Sequence, residues 1–180
     1  MNVFVRDNAW QREVRDRILA PSFYGEYSMN GRYVFLDKGK LATTLQKRFA
    51  VDTIMQKKSG ETVCIEEKIV RWPKNKDGGL RDKAYAAFTL ETRSCTIPGR
   101  ETPGWMAYAE ADYLLYCFSS RSDTYLTCYL LDFPALKEWF WPRADNYPKT
   151  VTEQINRTEC RVVPIADVTA DVRHWKRCLE

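Results

Sequence analysis

The stretch Val51-Asp52-Thr53-Ile54-Met55-Gln56-Lys57-Lys58-Ser59-Gly60-Glu61-Thr62-Val63-Cys64-Ile65-Glu66-Glu67-Lys68-Ile69-Val70-Arg71 decides how the chain is read. Apolar and β-branched residues on both sides of the turn Lys57-Lys58-Ser59-Gly60 predict a hairpin, with strands over 51–56 and 62–71. Glu66, Glu67 and Lys68 sit in the middle of the second strand, where a sheet interior asks for apolar side chains. Few structural reasons exist for charge there, so a chemical task is the leading explanation. Residues i and i+2 of a strand share a face, so Glu66 and Lys68 point the same way between Cys64 and Val70, and Asp52 begins the partner strand. Two carboxylates on neighbouring strands repel one another in low dielectric unless a divalent cation lies between them, and hard oxygen donors suit Mg²⁺. A lysine beside them can stabilise charge developing on a phosphate or orient an attacking water.

The same alternation raises a conflict. It puts Glu67 on the face of Val63, Ile65 and Ile69, which reads as the core face. Three resolutions stand open: a buried basic partner for Glu67, a bend or bulge in the strand, or Glu67 rather than Glu66 as the inward acid. A plainer alternative for the whole cluster is an exposed edge strand whose Glu and Lys form cross-strand pairs.

Working outward, Trp10, Val14 and Ile18 step by four between charged residues and predict a helix near 8–20, with Pro21 as its stop. Residues 22–37 are aromatic and turn-rich and suggest a short hairpin closing at Asn30-Gly31. Leu41, Leu45 and Phe49 predict a second helix over 40–49, leading into Asp52. Downstream, 87–95, 113–118 and 125–132 read as strands of a central sheet of about five. Residues 72–83 form a basic loop. Asp132 caps a helix with Pro134 in its first turn. A polar stretch from Arg143, a late strand near 160–165 and a helical tail around 171–178 complete the reading. One domain over 1–180 is expected, with a core at about 8–140 and a C-terminal extension at about 143–180.

The chain has 180 residues, 44% of them hydrophobic and 29% charged, which is a globular composition rather than a disordered one. The longest apolar run, Tyr113 to Phe118, is too short to span a bilayer, so a cytoplasmic protein with no membrane partner is expected. The six cysteines (64, 95, 117, 128, 160, 178) form no CxxC pair and read as buried free thiols. His174 is the only histidine, which leaves a zinc site or a Ser-His-Asp triad almost nothing to build from. Neither a Walker loop nor a GxGxxG occurs. Between Lys38 and Lys83 twelve Lys or Arg face six Asp or Glu, so this stretch carries +6 while the rest carries −2. A basic rim around a few carboxylates suits a polyanion whose scissile phosphate must meet a cation.

Helix, Asp52 strand, turn and Glu66-x-Lys68 strand together resemble the core of the PD-(D/E)XK nuclease superfamily. The resemblance implies a restriction-endonuclease-like α/β core, a mixed central sheet flanked by helices in the order αβββαβ. By position it implies Asp52 and Glu66 as Mg²⁺ ligands, with Mn²⁺ able to substitute, the Glu67 backbone carbonyl as a further ligand, and Lys68 as the lysine of the motif. The early helix would supply an auxiliary acid, Glu13. Val51 stands where the namesake motif has proline. Phe88-Thr89-Leu90-Glu91-Thr92, Pro103-Gly104-Trp105 and Ala111-Asp112-Tyr113-Leu114-Leu115-Tyr116 are similar to a layout found in compact phage and bacterial members. This puts Glu91 at the edge of the site and Trp105 as its wall or as a platform for a base. Lys57, Lys58, Lys74 and Lys76 are the candidate phosphate contacts. The implied activity is metal-dependent phosphodiester hydrolysis in nucleic acid, DNA before RNA, by a chain that can form a homodimer. The alternative is a catalytically inactive nucleic-acid-binding or protein-interaction domain of the same fold.

Overall fold

The computed structural model describes residues 3–36, 44, 48–73, 86–152 and 157–180. A helix over Val3–Val14 continues through a wider, π-type stretch, Arg15–Tyr24, and a last turn, Gly25–Tyr27. Pro21 therefore does not stop it, contrary to the expectation from sequence. The Gly25 N–H donates to the Ala20 carbonyl, five residues back. A turn of that width moves the carbonyl four residues back away from the proline ring, which removes the usual clash. Packing holds the segment: Ile18, Leu19 and Phe23 are at most 2% exposed, and burying each stabilises by about 1.5–3 kcal/mol. Most of the helix expected over 40–49 lies outside the described residues, as does the loop that carries Lys74 and Lys76.

The described strands, in chain order, are β1 (Ser28–Phe35), β2 (Thr53–Lys57), β3 (Thr62–Val70), β4 (Ala87–Cys95), β5 (Thr102–Pro103), β6 (Tyr113–Ser119), β7 (Leu126–Asp132), β8 (Lys149–Val151), β9 (Glu159–Pro164) and β10 (His174–Leu179). They make two sheets, six-stranded in the order β1-β2-β3-β6-β7-β10 and four-stranded in the order β5-β4-β9-β8. The expected single sheet of about five strands is thus corrected to a mixed α/β arrangement with a second sheet. β4 was expected in the central sheet, but it pairs with β9. The Asn30-Gly31 hairpin is also corrected. Both residues have positive φ, 51° and 71°, but they lie within the single strand β1, where its register with β2 shifts.

β3 and β6 run parallel, whereas the other pairs of the large sheet are antiparallel. Six of the seven β6 residues are buried, the near-continuous apolar run of a strand covered on both faces. The long helix covers one face over Val63, Ile65, Ile69, Leu115 and Cys117. The other face packs Leu114 and Tyr116 against Phe88 and Leu90 of the second sheet and Phe133, Leu136 and Phe140 of the helix Phe133–Phe140. The expected cap of that helix is present: Asp132 Oδ1 accepts from the Ala135 N–H at 3.0 Å.

Residues 143–180 supply β8, β9 and β10, of which β9 and β10 pair with β4 and β7. The helical tail expected around 171–178 is a strand, preceded by a helix over Ile165–Asp171. Period two explains this. Trp175 packs on Phe23 and Tyr27, Arg177 reaches Glu26, and Leu179 joins the core beneath the long helix. The six cysteines are free thiols, four of them buried. No described helix is long and apolar enough to cross a membrane.

Candidate functional site

The β2–β3 pairing sets the site. Thr53 stands opposite Ile65, so the next pair in the antiparallel register is Asp52 opposite Glu66, and directly opposed residues point to the same face. Asp52 is fixed through its backbone, its N–H donating to the Ile65 carbonyl at 2.9 Å and its carbonyl accepting from Leu36 at 2.7 Å. Lys68 Nζ lies 2.6 Å from Glu66 Oε1, with the Glu66 side chain 4% exposed and that of Lys68 34%. Asp52, Glu66 and Lys68, the three residues singled out from sequence, therefore converge on the face turned toward the second sheet.

The electrostatics follow from burial. Burial pushes the Glu66 carboxyl well above its ordinary pKa, the Lys68 ammonium offsets part of this, and the neighbouring Asp52 carboxylate adds to it. Burial alone would lower the Lys68 pKa, but the Glu66 and Asp52 carboxylates outweigh it and hold the ammonium above its usual range. Lys68 is therefore a permanent cation and hydrogen-bond donor, not a proton acceptor.

Glu67 resolves the conflict seen in the sequence. The strand does not flip, because both faces of the sheet are buried. Its side chain enters the face beneath the long helix, where Glu67 Oε1 accepts from Thr53 Oγ1 at 2.5 Å and from the Tyr24 hydroxyl. Burial and then the Asp52 charge raise its pKa, opposed by the Thr53 and Tyr24 hydrogen bonds and by Arg15, leaving it at about 7. Its backbone N–H donates to Asp52 Oδ2 at 3.0 Å.

The second sheet closes the cleft. In β4, Glu91 stands opposite Cys160 and Arg93 opposite Glu159, so Thr92 is an extra residue and the strand bulges there. Glu91 is half-buried, accepts from Ser94 Oγ at 2.5 Å, and acts electrostatically on Lys68. Burial and then Glu91 push the Cys160 thiol up to about 12, so it is not a nucleophile at neutral pH. Trp105, 4% exposed, packs on Phe133 with its ring centre 5.1 Å from Lys68 Nζ, which makes it a wall of the site and not an open platform for a base.

Other sequence candidates fall elsewhere. Glu13 is exposed on the helix that covers the opposite face. Lys57 sits at the far end of β2 from Asp52, roughly 17 Å along the strand, with its ammonium 2.9 Å from Glu61 Oε2 and 3.0 Å from the Tyr113 hydroxyl. Lys58 is exposed in the same turn. Lys74 and Lys76 lie outside the described residues. Sequence reasoning missed Tyr24 and Thr53, the partners of Glu67, and Tyr108, which lies in the field of the site. The three-residue step from Trp105 to Tyr108 was the available signal for Tyr108.

Among the described residues, no group of three or more His, Cys, Asp or Glu converges in a way that holds a metal. The donors that do converge are two carboxylates, Asp52 and Glu66, with Glu91 nearby and one lysine to offset them. Such an excess of negative charge on hard oxygen suits Mg²⁺, which is commonly held by one or two carboxylates, with waters and substrate phosphate as the other ligands. The chain matches no family model, no curated protein and no solved structure.

Proposed function

We propose that the chain is a metal-dependent nuclease of the PD-(D/E)XK type that hydrolyses phosphodiester bonds, in DNA in preference to RNA, with a restriction-endonuclease-like core. The observation that carries this reading is the convergence of Asp52, Glu66 and Lys68 on one buried face at the β2–β3 junction, with Lys68 Nζ 2.6 Å from Glu66 Oε1. Asp52 and Glu66 would hold Mg²⁺, or Mn²⁺ in its place, with the Glu67 carbonyl as a further donor. The chemistry such an ion supplies is that of a Lewis acid, offsetting phosphate charge and making water more acidic. Lys68, kept protonated by its two carboxylates, donates to the phosphate or to the attacking water and stabilises the charge that develops there. Trp105 walls one side of the ammonium, whose side chain is 34% exposed, so its charge is only partly screened by solvent.

The test is cleavage of supercoiled and linear DNA with Mg²⁺ against the same reactions in EDTA, for the wild type, Asp52→Asn and Lys68→Ala. Mg²⁺-dependent cleavage lost in both variants is expected. Cleavage that survives both substitutions would remove the assignment. The second reading is an inactive nucleic-acid-binding or protein-interaction domain of the same fold. DNA binding without cleavage, unchanged in Lys68→Ala, would establish binding without this chemistry.

A further inference from the structure

The short helix Trp105–Tyr108 is clamped to the β4 bulge by a close backbone approach. A Cβ at Gly104 would lie 2.4 Å from the Glu91 carbonyl oxygen and 2.7 Å from the Thr92 carbonyl carbon. The Gly104 N–H donates to the Thr92 carbonyl at 2.9 Å. Only a residue without a side chain brings the chain this near. Just past the helix, the Lys137 ammonium donates to the Ala109 carbonyl at 2.7 Å. Trp105 is thereby set beside Lys68, and Tyr108, three residues on, falls on the same side of this single helical turn.

Tyr108 is half-buried. Glu66, Glu91, Lys68 and Asp52 all lie within electrostatic reach of its hydroxyl, yet that hydroxyl makes no hydrogen bond to a described residue. Burial and then the Glu66 and Glu91 charges raise its pKa, so the phenol stays protonated and can serve as a neutral donor. Because no described residue accepts from this donor, it is available to an acceptor that enters the cleft.

We infer that Tyr108 is a substrate-contacting residue whose hydroxyl donates a hydrogen bond to a non-bridging oxygen of the phosphodiester bound in the cleft. The inference rests on the nuclease reading above. A neutral donor serves this position well: it adds a partner for the phosphate without a second cation that would compete with Lys68 for the carboxylates.

Tyr108→Phe removes a single oxygen, and it is expected to lower kcat/KM on duplex DNA with Mg²⁺ by about 10- to 100-fold, the usual worth of a hydrogen bond to a charged group. A substrate with sulfur replacing one non-bridging oxygen at the scissile phosphate provides the second measurement. The wild type should be slowed by one of the two phosphorothioate isomers, and Tyr108→Phe should lose most of that discrimination. Cleavage by Tyr108→Phe within twofold of the wild type overturns the inference and leaves the nuclease reading standing. So does a loss of rate that is equal on phosphate and both phosphorothioates. A wild-type chain that cleaves no nucleic acid with Mg²⁺ or Mn²⁺ overturns both.

Discussion

The Glu67 backbone N–H donates to Asp52 Oδ2 at 3.0 Å, while the Glu67 side chain leaves through the opposite face of the sheet to Thr53 and Tyr24. One residue thus orients a site carboxylate with its main chain and anchors to the other core with its side chain. Asp52 is correspondingly both a structural acceptor and a charge held against Glu66.

These two roles separate by substitution. Asp52→Asn keeps an oxygen to accept from Glu67 and removes the repulsion with Glu66, so stability in EDTA should equal or exceed that of the wild type. Mg²⁺-dependent cleavage should fall by at least about a hundredfold. Asp52→Ala should lose cleavage equally and, by orphaning the Glu67 N–H, cost about 1–3 kcal/mol in urea denaturation.

Lys68→Met should abolish cleavage and leave Glu66 buried without its partner. Breaking a buried pair from one side costs about 3–5 kcal/mol, and the side-chain exposure of 34% at Lys68 places the expected loss below that range. The loss should shrink as pH falls, because a protonated Glu66 needs no counter-charge. Urea midpoints at pH 5 and pH 8 measure it, and equal losses at both would contradict the pairing.

Glu67 gives a pH dependence of its own. In the fold it keeps its proton up to about pH 7, whereas an exposed glutamic acid loses it near 4.5. Between those values the folded chain binds more protons than the unfolded chain, so the contribution of Glu67 to stability falls as pH rises through this window and stays low above it. Glu67→Gln retains an oxygen for Thr53 and Tyr24 and cannot ionise. It should be more stable than the wild type by about 3 kcal/mol near pH 8, with the difference vanishing toward pH 4.5. Parallel stability curves for the two proteins would rule this out.

Gly104→Ala places a methyl group 2.4 Å from the Glu91 carbonyl oxygen, against backbone that has no flexible end to yield. The expected cost is about 1–3 kcal/mol, together with reduced cleavage as Trp105 and Tyr108 move from Lys68. Thermal denaturation and kcat/KM measured on one preparation test both parts.

The strands around Asp52, Glu66 and Lys68 were legible because a short hairpin and period-two alternation are local signals. The cap at Asp132 was legible for the same reason. The second sheet was not: β4 joins β9 about 70 residues later, and no local pattern says which sheet a strand enters. Pro21 misled because a wider helical turn tolerates what an α-turn does not. Glu67 looked paradoxical only while one face of β3 was taken for the core. With both faces covered, inward and outward lose their meaning, and alternation instead sorts the acids between two interiors.

The long N-terminal helix contributes no described group to the cleft, yet it lies directly behind it. Val14, Ile18 and Tyr24 press on the reverse side of the strand that displays Glu66 and Lys68. The face proposed to be catalytic is in this sense a printed sheet on a backing board, and its alignment can be adjusted from behind. Directed evolution of turnover should therefore find productive changes at Val14 and Ile18, positions that no substrate ever meets.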